Sequence, residues 1–145
     1  MTTTFGLFLD AALTMPLDLA QADRLELSVS TDASRPSADG VIYLGSPDAT
    51  KRARASSDPG VDTLVLSLDD SENAYDAFTP AKVRLAATQV GLSSATPGAA
   101  LDTGVTTLMG GVANALAIHI RVSGMGTVGQ GAMIIRCNEL AEDAA

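Results

Sequence analysis

Residues 116–123, Leu-Ala-Ile-His-Ile-Arg-Val-Ser, alternate without a break. Leu116, Ile118, Ile120 and Val122 fall on one side, and Ala117, His119, Arg121 and Ser123 fall on the other. Successive side chains leave a pleated backbone in opposite directions, so a period of two demands a strand with one buried face. The rest of the chain must then supply neighbours with the same one-sided pattern. Gly110-Gly111 precedes this strand and lets the chain bend or bulge as it enters the sheet.

Such neighbours recur along the sequence. Phe5, Leu7 and Leu9 alternate with Gly6, Phe8 and Asp10, giving a short strand or extended arm. Leu13, Met15, Leu17 and Leu19 continue the odd positions, but Pro16 cannot donate to a ladder and restricts this stretch to an edge or a loop. Further strands are expected at 24–30, 41–44, 64–69, 82–88 and 132–138. The expected inward sets include Leu64, Leu66 and Leu68, then Val83, Leu85 and Ala87, then Met133, Ile135 and Cys137. Residues 31–40, with Pro36 and Gly40, read as a turn-rich loop, as do 45–48, 58–60 and the small-residue stretch 91–104. No long helical period and no internal repeat of fixed length is present. The expectation is an all-β chain, an antiparallel β-sandwich of jelly-roll or immunoglobulin-like type with seven or eight short strands. Residues 1–20 would form an N-terminal arm or edge strand, 21–138 a single sandwich domain, and 139–145 a flexible acidic tail.

Composition narrows what such a sandwich can do. The chain has 145 residues, enough for one domain that buries about two-thirds of its unfolded surface. Its 46% hydrophobic content suits a globular core, yet aromatics are only 3% and Trp is absent. Sugar-binding sandwiches and single-strand nucleic-acid binders rely on aromatic faces, so both are disfavoured. Seventeen acidic residues outnumber nine basic ones, for a net charge of −8, which opposes binding to a phosphate backbone. A lone cysteine, Cys137, excludes an internal disulfide and a cysteine-cluster zinc site. The N-terminus lacks a basic n-region, and no apolar run reaches the ~20 residues of a membrane span, so a protein made in the cytoplasm is expected.

Residues with chemical potential are few. Gly124-Met-Gly-Thr-Val-Gly129 has the spacing of a dinucleotide fingerprint, but a β-branched strand follows where the mechanism needs a helix, so a glycine-rich hairpin loop is expected. His119 has no sequence-marked nucleophile or second ligand beside it and reads as a sheet histidine; Cys137 reads as a small core residue. Asp69-Asp70-Ser71-Glu72 lacks the spaced pattern of a calcium loop and reads as a solvated acidic loop. Lys51, Arg52 and Arg54 are the only basic cluster, either a solvated loop or a contact for an acidic partner surface. No catalytic set, cofactor site or metal site can be assembled, and a non-enzymatic protein without a small-molecule substrate is expected.

The stretch Val83 to Val122 contains Val-Arg-Leu-Ala-Ala-Thr-Gln-Val-Gly-Leu, Thr-Pro-Gly-Ala-Ala-Leu-Asp-Thr-Gly and Gly-Gly-Val-Ala-Asn-Ala. It resembles virion structural proteins of tailed bacteriophages, in particular the small β-sandwich decoration, or cement, proteins of phage heads. The likeness covers about half the chain. It implies a homo-oligomer on the outer surface of the capsid, bound to the major capsid protein and stabilising the shell. A charge of −8 fits an outward position, since packaged DNA would repel it. On that reading residues 2–19, with Phe5 and Leu7, and the loop 91–104 become ordered against neighbouring subunits, and deleting 2–12 abolishes attachment or oligomerisation while the sandwich stays folded. A phage tail or neck protein is the nearest alternative, followed by a sandwich module binding a host surface or carbohydrate.

Overall fold

The computed structural model describes residues 4–17, 37–69, 79–123 and 133–145. Ten strands lie among them, in place of the seven or eight expected. They are β1 (Gly6–Phe8), β2 (Ser37–Gly45), β3 (Lys51–Ala55), β4 (Val65–Asp69), β5 (Val83–Ala86), β6 (Leu101–Asp102), β7 (Thr107–Met109), β8 (Leu116–Ser123), β9 (Ile134–Cys137) and β10 (Leu140–Ala144). The only helical turns among the described residues are short 3-10 segments at Pro80–Lys82, Val90–Ser93 and Val112–Asn114. The fold is all-β and sandwich-like, built from three antiparallel sheets. A four-stranded sheet has the order β1-β2-β8-β5, and two three-stranded sheets have the orders β10-β3-β7 and β6-β4-β9.

The alternating strand is the centre of the four-stranded sheet. β8 pairs with β2 from Leu116↔Leu44 to Ser123↔Ser37, and with β5 from His119↔Ala86 to Val122↔Val83. That register puts Ile118 beside Ile42, and Ile120 beside Leu85, on one face. With Leu66 from β4 they form a dry cluster, joined at its margin by Leu68, Leu101, Met133, Ile135 and Cys137. A second cluster, Phe5, Leu44, Ala53, Ala55, Leu64 and Leu108, joins the same sheet to the β3 sheet. Burying a large aliphatic side chain of this kind stabilises by about 1.5–3 kcal/mol. The chain on either side of Gly110-Gly111 is thus divided: β7 lies in the β3 sheet and β8 in the four-stranded sheet.

The glycine pair makes this division. Gly110 donates its N–H to Lys51 O at 2.8 Å, and a Cβ there would stand 2.0 Å from Asp48 O. Gly111 follows at φ +99°, open only to glycine without strain, and bonds Ser46 O. β1 is followed by a tight turn in which Asp10 accepts from the backbone N–H groups of Thr14 and Met15. Leu13 in that turn holds φ +55° and is 3% exposed, so its burial against the fold offsets backbone strain. Pro16 bridges to Phe8 at the sheet margin, the edge location its missing N–H requires.

Several expectations are corrected. Residues 139–145 do not fray; β10 pairs along the whole of β3, and Ala145 N–H bonds Thr50 O at 2.8 Å. Residues 37–40 extend β2 and are not loop. Ala87 is exposed and Ala86 is buried, because β5 ends at Ala86 and the turn at Val90–Ser93 folds back over the sheet, burying Leu92. The stretch 91–104, expected as a loop, contains β6. The strand expected at 24–30 and the glycine loop 124–131 lie outside the described residues.

Candidate interaction faces

Lys51, Arg52 and Arg54 do not form a solvated loop. They belong to β3, the middle strand of its sheet. Ala53 and Ala55 are fully buried on the inner side, so the pleat sends Arg52 and Arg54 to the outer side. β10 places Asp143 opposite Arg52, and β7 places Met109, 41% exposed, on the other flank. Arg52 Nε donates to Asp143 Oδ1 at 2.7 Å and Arg54 Nη2 to Oδ2 at 2.5 Å. Arg52, reinforced by Arg54, holds the Asp143 carboxyl below its ordinary 3.8. One carboxylate therefore serves both guanidinium groups, while Lys51 alternates in step with Ala53 and Ala55, away from Arg52 and Arg54, and has no ion pair among the described residues. This face is net positive in an acidic chain.

The other candidate contacts do not join it. Phe5 is 7% exposed inside the second cluster, and Leu7 packs against both clusters. Burial within their own fold removes Phe5 from any partner surface, and Gly6–Phe8 pair into the main sheet. Beside them the N-terminal and C-terminal segments meet. Thr4 donates its N–H to Glu142 Oε2 at 3.0 Å, its hydroxyl bonds the same carboxylate, and fully buried Ser46 donates to Thr4 Oγ1 at 2.7 Å.

The outer face of the four-stranded sheet carries a second polar arrangement. Asp39, Arg121 and Arg84 stand in one row across β2, β8 and β5. Arg121 grips Asp39 with two bonds, Nε to Oδ1 at 2.7 Å and Nη2 to Oδ2 at 2.9 Å. Gln89 adds a third at 2.6 Å. The Arg121 guanidinium is the main cause that holds the Asp39 carboxyl below its usual range. The next row is Val41, His119 and Ala86. His119 Nδ1 is sealed from solvent with no hydrogen-bond partner among the described residues. An acid–base histidine has its ring oriented by a hydrogen-bond partner, and Nδ1 of His119 has none among the described residues.

The remaining candidates are structural in character. Cys137 packs at the margin of both clusters, and burial pushes its thiol up to about 11. Asp69 pairs with Arg136 at 2.6 Å, while 70–72 lie outside the described residues. Among the described residues no group of three or more His, Cys, Asp or Glu could hold a metal ion. A groove of about 180 Å³ runs beside the first residues of β8, lined by Ala87, Leu101, Thr103 and residues 115–118. It presents no ionisable side chain and is smaller than the ~300–1,000 Å³ of ordinary ligand pockets. No described helix is long and apolar enough to cross a membrane.

The sequence marked Arg121 only as a polar-face residue and gave no sign of its partnership with Asp39 and Arg84. That row exists through register, which no local signal encodes. Comparison with protein-family models, with curated proteins and with solved structures gives no match.

Proposed function

We propose that this chain is a non-enzymatic structural protein of a tailed-bacteriophage particle, a decoration protein seated as a homo-oligomer on the outer surface of the head and bound to the major capsid protein. The observation that carries the reading is the outer face of the β3 sheet. There Arg52 and Arg54 gather against a single carboxylate, Asp143, in a chain of charge −8. A basic patch on an acidic sandwich suits an acidic protein surface and, given the overall charge, not DNA.

Quantitative mass spectrometry of purified particles tests this directly by counting copies of the chain per major shell subunit. A ratio near one, or a simple fraction of it, is the expected result. A dozen or so copies per particle would move the chain to the neck or tail, and absence would end the virion reading.

A further inference from the structure

Two arginines directly opposite each other on neighbouring strands repel, and Arg84 faces Arg121 in this way. Asp39 neutralises only one of them. It engages Arg121 through Nε and Nη2, which leaves Arg121 Nη1 turned toward Ser93, 3.5 Å from its Oγ. Arg84 has no carboxylate partner among the described residues. Its Nη1 stands 3.4 Å from the carbonyl oxygens of both Leu92 and Ser93, and its Nε is shut off from solvent without an acceptor. N–H···O bonds centre on about 2.9–3.0 Å, so contacts this long leave both Nη1 groups under-used at one place. Ser93 is exposed there. Two guanidinium ends thus converge on one accessible serine, with one positive charge left over.

We propose that Arg84, Arg121 and Ser93 form an oxyanion-binding site. A carboxylate or phosphate group matches the donor fork of each guanidinium and would accept from both Nη1 groups at once. The Ser93 hydroxyl rotates freely and supplies a further donor. The bound anion provides the counter-charge that Asp39 cannot, and offsets the Arg84–Arg121 repulsion. Asp39 stays on the far side of Arg121 as its fixed partner. The same contacts hold an acidic side chain of another protein or a free phosphate. The site lies apart from the β3 face and stands independently of the virion reading.

The test is titration of the full-length, isotope-labelled chain with inorganic phosphate and, separately, with acetate, at constant ionic strength set by chloride. The readout is the NMR signals of the Ser93 amide and of the Arg84 and Arg121 Nε–H groups. Saturable shifts at these three residues are expected. In Arg84→Gln the affinity falls about tenfold or more, the loss of charge-assisted hydrogen bonds. That variant removes a poorly compensated cation and should keep its fold. Ser93→Ala, at an exposed position, should weaken binding about threefold and give a second check. Arg52→Gln, on the β3 sheet, should bind like the parent chain. Tighter acetate binding assigns the site to a protein carboxylate, and tighter phosphate binding to a phosphate. Linear, non-saturating shifts, or equal affinity in Arg84→Gln and the parent, would overturn the proposal.

Discussion

Asp143, on the last strand, holds Arg52 across the β10–β3 ladder with Oδ1 2.7 Å from the guanidinium Nε. This ion pair fastens the acidic C-terminal segment to the basic strand and gives the fold an acid sensitivity. The Asp143 and Asp39 carboxyls both sit below their ordinary 3.8, each chiefly through its arginine. A carboxyl whose folded value is depressed contributes stability that is fully present above the unfolded value and is lost as pH falls through the folded one. Urea midpoints should therefore hold steady above about pH 5 and fall steadily from about pH 4 downward. Asp143→Asn should be less stable than the parent near neutrality and show a shallower decline in acid. An identical acid profile for the two chains would refute the linkage.

The N-terminal segment belongs to the core. Phe5→Ala should destabilise by about 3–5 kcal/mol, the usual cost of truncating a buried phenylalanine. Deleting residues 2–12 removes Phe5 and Phe8 together and should leave no cooperative thermal transition. A well-folded deletion variant, judged by circular dichroism and melting, would restore the idea of a detachable arm.

Gly110 is fixed by close approach. Its missing side chain accommodates Asp48 O, which a Cβ would meet at 2.0 Å. Gly110→Ala must displace the backbone of the β2–β3 turn and should cost about 3 kcal/mol, the upper end for overpacking. Gly104→Ala, with open space around its Cβ but φ +71°, should cost less. Comparing their denaturation midpoints separates steric exclusion from backbone strain.

Burial raises the Cys137 thiol to about 11, so only a small fraction is thiolate at pH 8. Iodoacetamide should label it slowly in the native chain and at the rate of a free cysteine in urea. Fast native labelling would show that the β9 margin opens readily.

How far the sequence revealed this fold depended on the size of the inward residues. β8 and β5 bury isoleucine, leucine or valine at alternate positions, and β4 and β9 turn Leu66, Leu68, Ile135 and Cys137 toward the same cluster, so their pattern was plain. β3 buries only Ala53 and Ala55 between arginines, because the second cluster leaves room there for little more than a methyl group. Its alternation was faint to hydropathy. β10, Leu-Ala-Glu-Asp-Ala, resembles a tail until β3 supplies partners for its backbone and carboxylates. β6 and β7, of two and three residues, are too short to show a period. The interaction faces were harder still. The basic residues of β3 were visible as a cluster, but their shared anchor Asp143 lies at the opposite end of the chain.

Apart from β1 with β2, every named ladder joins strands that are not successive in the chain, and the β10–β3 and β2–β8 pairings span more than half its length. Such a topology has little to nucleate on locally. Large loops must close before their contacts stabilise anything, which places folding in the millisecond-to-second range typical of non-local β proteins. On the ribosome, β2 must wait for β8, and β3 for both β7 and β10. The nascent chain therefore carries unpaired edges until residues 140–144 emerge, and expression conditions that slow aggregation, such as low temperature, should raise the soluble yield more than any single stabilising substitution.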